Sequence, residues 1–221
     1  EIQGDLVLDR SYYGFDPGDP ARFDNEPVQV YNTLPDALLV NHKAVRLTFT
    51  PDTDARRVRI VADPPLTEIE IVNQLALDAA PCGDWRARVR TEMRAGSAEI
   101  GGGSAETRAG SAGSGIARLI FAGSYSVLCG EQSRHYSILS PQTYAGGLFR
   151  QLWSELGGRL HGNVREGVAP PAAKPLATHE SPALSEIVRD INKYSNNAMS
   201  RQLYLTLGAS AFGPPATPEK S

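Results

Sequence analysis

Several things are scarce in this sequence, and most of these scarcities exclude a class of protein. No stretch approaches the ~20 apolar residues that span a bilayer, so no transmembrane helix is expected. No basic-then-apolar leader opens the chain, which excludes nothing, since a mature protein or a piece of one lacks it as well. Positive charge is not in excess: 22 Lys and Arg stand against 25 Asp and Glu. Binding to nucleic acid needs a basic patch that neutralises phosphates, so no nucleic-acid partner is expected. The arginines are interleaved with acids and read as solvated faces. Two cysteines lie far apart, and the four histidines (His42, His135, His161, His179) are scattered without ligand spacing. That excludes a metal site, and no cofactor is expected. No Gly-x-Ser-x-Gly turn occurs and no histidine is placed as a base, which argues against the common serine-hydrolase designs.

What remains is ample for a folded body. The chain has 221 residues, 41% of them apolar, enough for one large or two modest domains. Residues 1–75 read as mostly β. Leu6 and Leu8 share one face of a short strand at the start. Residues 44–50 alternate apolar and polar and end at Pro51-Asp52, residues 57–61 end at Asp63-Pro64-Pro65, and residues 69–72 form a third β-rich run. Turn-separated strands of this kind predict a mainly antiparallel sheet region. Residues 86–93 and 116–123 read as an outgoing and a returning strand. Between them, residues 95–115 are dominated by Gly, Ser and Ala, a composition that buries little and reads as a flexible loop.

From about residue 139 the period changes from two to 3.6. Tyr144, Leu148, Leu152 and Leu156 predict a helix over 143–156, stopped by Gly157-Gly158. Ser181-Pro182 reads as the start of a second, with Leu184, Ile187, Val188 and Ile191 as its stripe to Tyr194. A third, from about Asn197 to Leu207, has Met199, Leu203 and Leu207 as its stripe and Gly208 as its stop. The expected class is therefore α+β, with a β-rich part over 1–138 and a helical part over 139–221.

Cys82 and Cys129 flank the 86–121 hairpin. Returning strands bring such ends together, which favours a disulfide across the base and an oxidising compartment over two unpaired buried thiols. Both chain ends read as cut. A strand pattern starts almost at once, and Thr217-Pro218-Glu219 reads as a helix start with no helix after it, unless this is a frayed polar tail.

Ser195-Asn196-Asn197 sits between the second and third helices. A hydroxyl can relay a proton, and a carboxamide offers one acceptor and two donors for a substrate amide. A serine is not an activated nucleophile without a neighbouring base. By itself the tripeptide is equally a helix cap, the commonest use of Ser and Asn at such junctions.

Its surroundings carry more. Residues 184–199, then Gln202-Leu203, Leu207-Gly208 and Phe212-Gly213, resemble the segment around the Ser-x-Asn motif of penicillin-binding D-alanyl-D-alanine carboxypeptidases of the low-molecular-mass class C type, the S13 peptidases. Residues 4–11, residues 35–41 and Cys129-Gly130 resemble that family's inserted β region. The resemblance implies β-rich inserted domains over 1–138 and part of a penicillin-recognising domain over 139–221. It implies hydrolysis of D-Ala-D-Ala bonds in peptidoglycan stem peptides through an acyl-serine, acylation by β-lactams, and a periplasmic or other extracytoplasmic location. Ser195 would pass a proton to the leaving amine, and Asn197 would hold the substrate backbone. The family's other motifs, Ser-x-x-Lys and Lys-Thr-Gly, do not occur. The chain is thus expected to be an internal piece, inactive alone, whose Ser-Asn corner is held rigidly in a groove completed by the remaining segments of a parent polypeptide. The alternative is a non-catalytic extracytoplasmic module that binds peptidoglycan or a protein.

Overall fold

A computed structural model describes residues 1–95 and 116–221. The Gly/Ser/Ala segment, from residue 96 on, lies outside the described residues. The elements in chain order are β1 (Leu6–Leu8), β2 (Val45–Asp52), β3 (Arg57–Asp63), β4 (Ile69–Asp78), α1 (Trp85–Arg88), β5 (Val89–Ala95), β6 (Ala117–Ser126), β7 (Gln132–Tyr136), α2 (Pro141–Glu155), β8 (Val164–Glu166), α3 (Leu184–Tyr194) and α4 (Asn197–Phe212). The class is α+β, as expected.

The chain forms two compact units: residues 45–139, and residues 1–44 together with 140–221. The single division near 138 read from the sequence differs from this. The composition does change there, but the first 44 residues pack with the helical part. They do so through pairing that composition does not reveal: β1 runs parallel to β8, with Leu6 opposite Val164 and Leu8 opposite Glu166.

In the 45–139 unit two three-stranded sheets have the orders β3-β2-β7 and β4-β6-β5. Alternation along β2 puts Val45, Leu47 and Phe49 inward, all fully buried. Phe49 meets Phe121, Trp85 and Tyr125 at ring-centroid distances of 5.2, 5.4 and 6.2 Å. Three strand pairs are antiparallel. The pairing of β4 with β6 is parallel, against the antiparallel expectation. The cause is the intervening strand: residues 79–95 carry the chain through α1 into β5, and β6, antiparallel to β5, lies beside β4 in the same sense as β4. Residues 86–88, read as strand, are the single turn α1, held by Asp84, whose Oδ1 accepts from the Arg86 N–H at 3.2 Å.

Cys82 and Cys129 are joined in a disulfide with a Cα–Cα distance of 4.8 Å. It ties the segment before α1 to the turn after β6. The Ser126 hydroxyl beside it donates to the Ala80 carbonyl.

In the other unit, Ser140 caps α2 by accepting the Thr143 N–H at 3.1 Å, and Pro141 fills the first position. Tyr144, Gly146 and Gly147 form its buried face. A Cβ on Gly146 would lie 2.6 Å from Val164, so its absence lets α2 approach β8 closely. Helix α4 does not stop at Gly208 but runs to Phe212. A side chain at 208 would strike Ser221 Oγ at 2.3 Å, so this glycine is a packing site for the C-terminal turn rather than a terminator. The buried face of α4 is Ala198, Leu205, Gly208 and Ala209. The expected stripe fails at Leu207, which stays exposed, because Leu205 and Ala209 cluster instead with Ala216, Tyr13 and Phe15. Helix α3 begins at Leu184 after Ala183, not at Ser181, and of its stripe Ile191 alone is fully buried. The predicted helix start at Thr217 is a 3-10 turn over Pro218–Lys220 with no side-chain cap.

Candidate functional site

The candidate corner is the joint between α3 and α4. Helix α3 ends because Ser195 adopts the left-handed conformation (φ 48°, ψ 47°). A non-glycine residue held there costs energy, and such residues concentrate at functional sites. The backbone N–H groups of Ser195 and Asn196 both reach the Ile191 carbonyl. Asn196 then turns the chain into α4. Its Oδ1 accepts the Met199 N–H at 3.0 Å, and its carbonyl accepts the Ser200 hydroxyl at 3.0 Å. Capping is therefore the work of the middle residue alone.

The flanking pair is left over. Ser195 and Asn197 are both exposed, and among the described residues neither side chain has a hydrogen-bond partner. The backbone on either side is fixed, but the two polar groups themselves are not held, contrary to the rigid presentation expected from the sequence. Three concavities of about 470 to 500 Å³ lie in this unit, and neither Ser195 nor Asn197 lines any of them.

What positions α4 is a polar cluster that sequence reasoning did not find. Gln202 makes a reciprocal amide pair with the Asp36 backbone: its Oε1 accepts the Asp36 N–H and its Nε2 donates to the Asp36 carbonyl, both at 2.9 Å. The Tyr13 hydroxyl donates to the Gln202 carbonyl at 3.3 Å. The Asp36 carboxylate, buried, accepts from Arg10, which also pairs with Glu166. These hydrogen bonds raise the affinity of the Arg10 guanidinium for its proton. Residues 10 and 13 are close in sequence, but 36, 166 and 202 are far from them and from one another. No local pattern could have joined them, although residues 35–41 and Gln202 each sat in a segment singled out by resemblance.

Next to this cluster, Asn41, His42 and Lys43 all have positive φ (47°, 51° and 51°). The turn is fastened at Asn41, whose Nδ2 donates to the Tyr144 hydroxyl at 3.1 Å while that hydroxyl donates to the Ala44 carbonyl. Burial lowers the affinity of His42 for a proton and pushes the Lys43 ammonium down to about 8; Asp36 opposes this shift and Arg10 adds to it. The sign follows from linkage. Between about pH 8 and pH 10.5 the unfolded chain keeps the Lys43 proton and the native chain does not, so stability rises with pH across that window. Below about pH 8 both forms are charged and the native state bears the desolvation cost. Replacing Lys43 by methionine is expected to flatten that rise and to stabilise the protein at pH 7 by about 1–2 kcal/mol, discounted for a half-buried side chain. Urea unfolding at pH 7 and pH 10 on both proteins checks it.

Among the described residues no group of three His, Cys, Asp or Glu side chains is arranged to hold a metal ion.

Comparison with known proteins places these features. A family model described as the D-Ala-D-Ala carboxypeptidase 3 (S13) family matches residues 103–221, more than half of the chain. That match includes Ser195 to Asn197. No curated protein sequence matches. Among solved structures, penicillin binding protein 4 (dacB) from Haemophilus influenzae is similar with a TM-score of 0.66 at 16% identity, over 98% of this chain and 43% of that one. The same protein complexed with a novel β-lactam matches with a TM-score of 0.57 at 14% identity, over 99% of this chain and 42% of that one. The present chain thus spans less than half the length of the solved structures it resembles, and at this identity the likeness speaks for the fold.

Proposed function

Because the chain belongs to the D-Ala-D-Ala carboxypeptidase 3 (S13) family, we propose that it is the portion of a serine-type D-Ala-D-Ala carboxypeptidase, or endopeptidase, that supplies the Ser-x-Asn wall of the cleft. The substrate is a peptidoglycan stem peptide, and β-lactams acylate the same site as its mimics. The unit of residues 1–44 and 140–221 belongs to the penicillin-recognising domain, and residues 45–139 are an inserted accessory domain. The disulfide at Cys82–Cys129 supports a periplasmic or other extracytoplasmic setting, where such bonds persist. Among the described residues no helix is long and apolar enough to cross a membrane.

The observation that carries this reading is the division of labour at the α3–α4 joint. Asn196 is consumed by capping, while the Ser195 hydroxyl and the Asn197 carboxamide remain exposed and unpartnered on either side of it. In the proposed reaction a serine outside these 221 residues attacks the penultimate D-Ala carbonyl. The C–N bond breaks, and the departing D-alanine amine takes its proton through the Ser195 hydroxyl, a relay that returns Ser195 unchanged. Asn197 hydrogen-bonds the substrate backbone and holds the carbonyl in line with the attacking oxygen. Water then hydrolyses the ester and frees the shortened peptide.

The test is labelling with a fluorescent penicillin. The 221-residue chain, which contains neither Ser-x-x-Lys nor Lys-Thr-Gly, is expected to form no covalent adduct. A polypeptide joining it to segments that carry both motifs is expected to form one. An adduct on the 221 residues alone would overturn the assignment of the motif.

A second reading is favoured by one observation: Ser195 and Asn197 line none of the three concavities. It makes the chain a non-catalytic extracytoplasmic module that binds peptidoglycan or a protein. Failure of the joined polypeptide to be acylated would support it.

A further inference from the structure

One concavity has no part in the reading above. It measures about 490 Å³ and lies between the 15–23 loop, Leu34-Pro35 and one side of α4. Ser195 and Asn197 are not among its lining residues. From its walls and charges we propose that it is a binding site for a small amphipathic carboxylate: an acylated amino acid, or a peptide C-terminus, bearing an aromatic or branched side chain.

The apolar half of the argument concerns the rings. Leu205 is buried and belongs to the cluster with Ala209 and Ala216, against which Phe15 packs. Phe23 is 82% exposed and Tyr204 50% exposed, yet both line the concavity. Two large rings left in water at a recess of this size offer surface that a ligand ring or alkyl group can cover, and apolar lining with few polar groups is the usual composition of a small-molecule site. The Tyr204 hydroxyl donates to the Pro218 carbonyl at 3.3 Å, which secures that wall to the C-terminal turn.

The charged half concerns two arginines. Arg22 and Arg201 both line the recess, and among the described residues neither guanidinium has an ion-pair or hydrogen-bond partner. Other arginines, such as Arg56, Arg59 and Arg90, are likewise unpaired among the described residues; what sets Arg22 and Arg201 apart is that they share one recess with exposed rings. Asp19 is the one acid in the lining, and it is occupied locally: its Oδ1 accepts the Ala21 N–H at 2.8 Å. Asp16 likewise accepts the Gly18 N–H at 2.9 Å. Asp19 keeps its negative charge in that hydrogen bond, so the lining sets two positive charges against one negative and is net positive toward a ligand. A guanidinium presents a planar fork of donors that matches a carboxylate. A neutral ligand could accept from the guanidinium N–H groups but would leave both charges uncompensated, and a bare anion would leave the rings uncovered.

The experiment uses the 221-residue chain and three probes: N-acetyl-phenylalanine, its uncharged amide, and acetate. Binding is followed by calorimetry and by shifts in the amide NMR spectrum. N-acetyl-phenylalanine is expected to bind about tenfold more tightly than either of the other two, and more weakly as salt rises. Arg22→Gln and Arg201→Gln are each expected to weaken it about five- to tenfold, and the affected NMR signals are expected to come from residues 15–23 and 201–205. Both arginines are exposed, so these variants are expected to keep the native circular dichroism spectrum. Equal binding of acid and amide, binding that the arginine variants leave unchanged, or no saturable binding would each overturn the proposal. The outcome is independent of penicillin labelling, which reads the α3–α4 joint.

Discussion

In a polypeptide that unites these 221 residues with a Ser-x-x-Lys segment, replacing Ser195 by alanine is expected to slow acylation by labelled penicillin by about 10²–10³-fold, the range that loss of a positioned proton relay usually costs. Replacing Asn197 by alanine is expected to slow it by a smaller factor, about 10- to 100-fold, through poorer positioning of the substrate backbone. Replacing Asn196 should behave differently. Its carboxamide caps α4, so Asn196→Ala is expected to cost about 1 kcal/mol of stability. Its effect on acylation should be no larger than that loss and should be rescued by aspartate, which caps equally well. The contrast is informative because the three residues are consecutive. A merely structural role for the corner would make Asn196 the most sensitive of the three, whereas the proposed chemistry makes it the least. Second-order acylation constants for the three alanine variants, measured beside their thermal unfolding, separate the two.

The largest effect on stability is expected from the disulfide. Cys82 and Cys129 are separated by 47 residues. Closing a loop of that size removes enough unfolded-state entropy to stabilise the native state by about 4 kcal/mol in the chain-entropy account. Unfolding of Cys82→Ser/Cys129→Ser, or of the native chain under reducing conditions, should therefore show a loss of about 3–4 kcal/mol. The change should fall on the 45–139 unit. Trp85 lies in that unit and is buried against Phe49 and Tyr125, so its fluorescence reports the transition. Substituting both cysteines avoids leaving one free thiol beside the core. A loss below about 1 kcal/mol would mean that the aromatic cluster and the sheet pairing already restrict the unfolded chain to nearly the same extent.

Sequence and structure agree where the information is local. Alternation found β2 and β3 within a few residues, because burial of one face enforces a period of two. The helical stripe found α2, with its start placed two residues late because the Ser140-Pro141 cap was not read. The two cysteines paired as the hairpin between them suggested. At the site, the sequence located the joint between α3 and α4. It did not say which of Ser195, Asn196 and Asn197 would act as the cap, since all three residue types can do so.

The errors have a common cause. Gly208 reads as a helix stop by propensity, which costs about 1 kcal/mol in a helix interior. Contact with residues 220 and 221, invisible to any window, overrides it. The buried face of α4 was misread because that face is chosen by Tyr13, Phe15 and Ala216 rather than by the helix itself. The pairing of β1 with β8 joins residues more than 150 apart.

Thus the amino-acid order alone determined the class of the fold, most of its elements, the disulfide and the family, since each rests on periodicity, spacing or a contiguous motif. Tertiary structure decided which residues share a unit, what anchors α4, and which side chains at the corner remain free. Those depend on partners brought together only by folding, whose energies no stretch of neighbouring residues can encode.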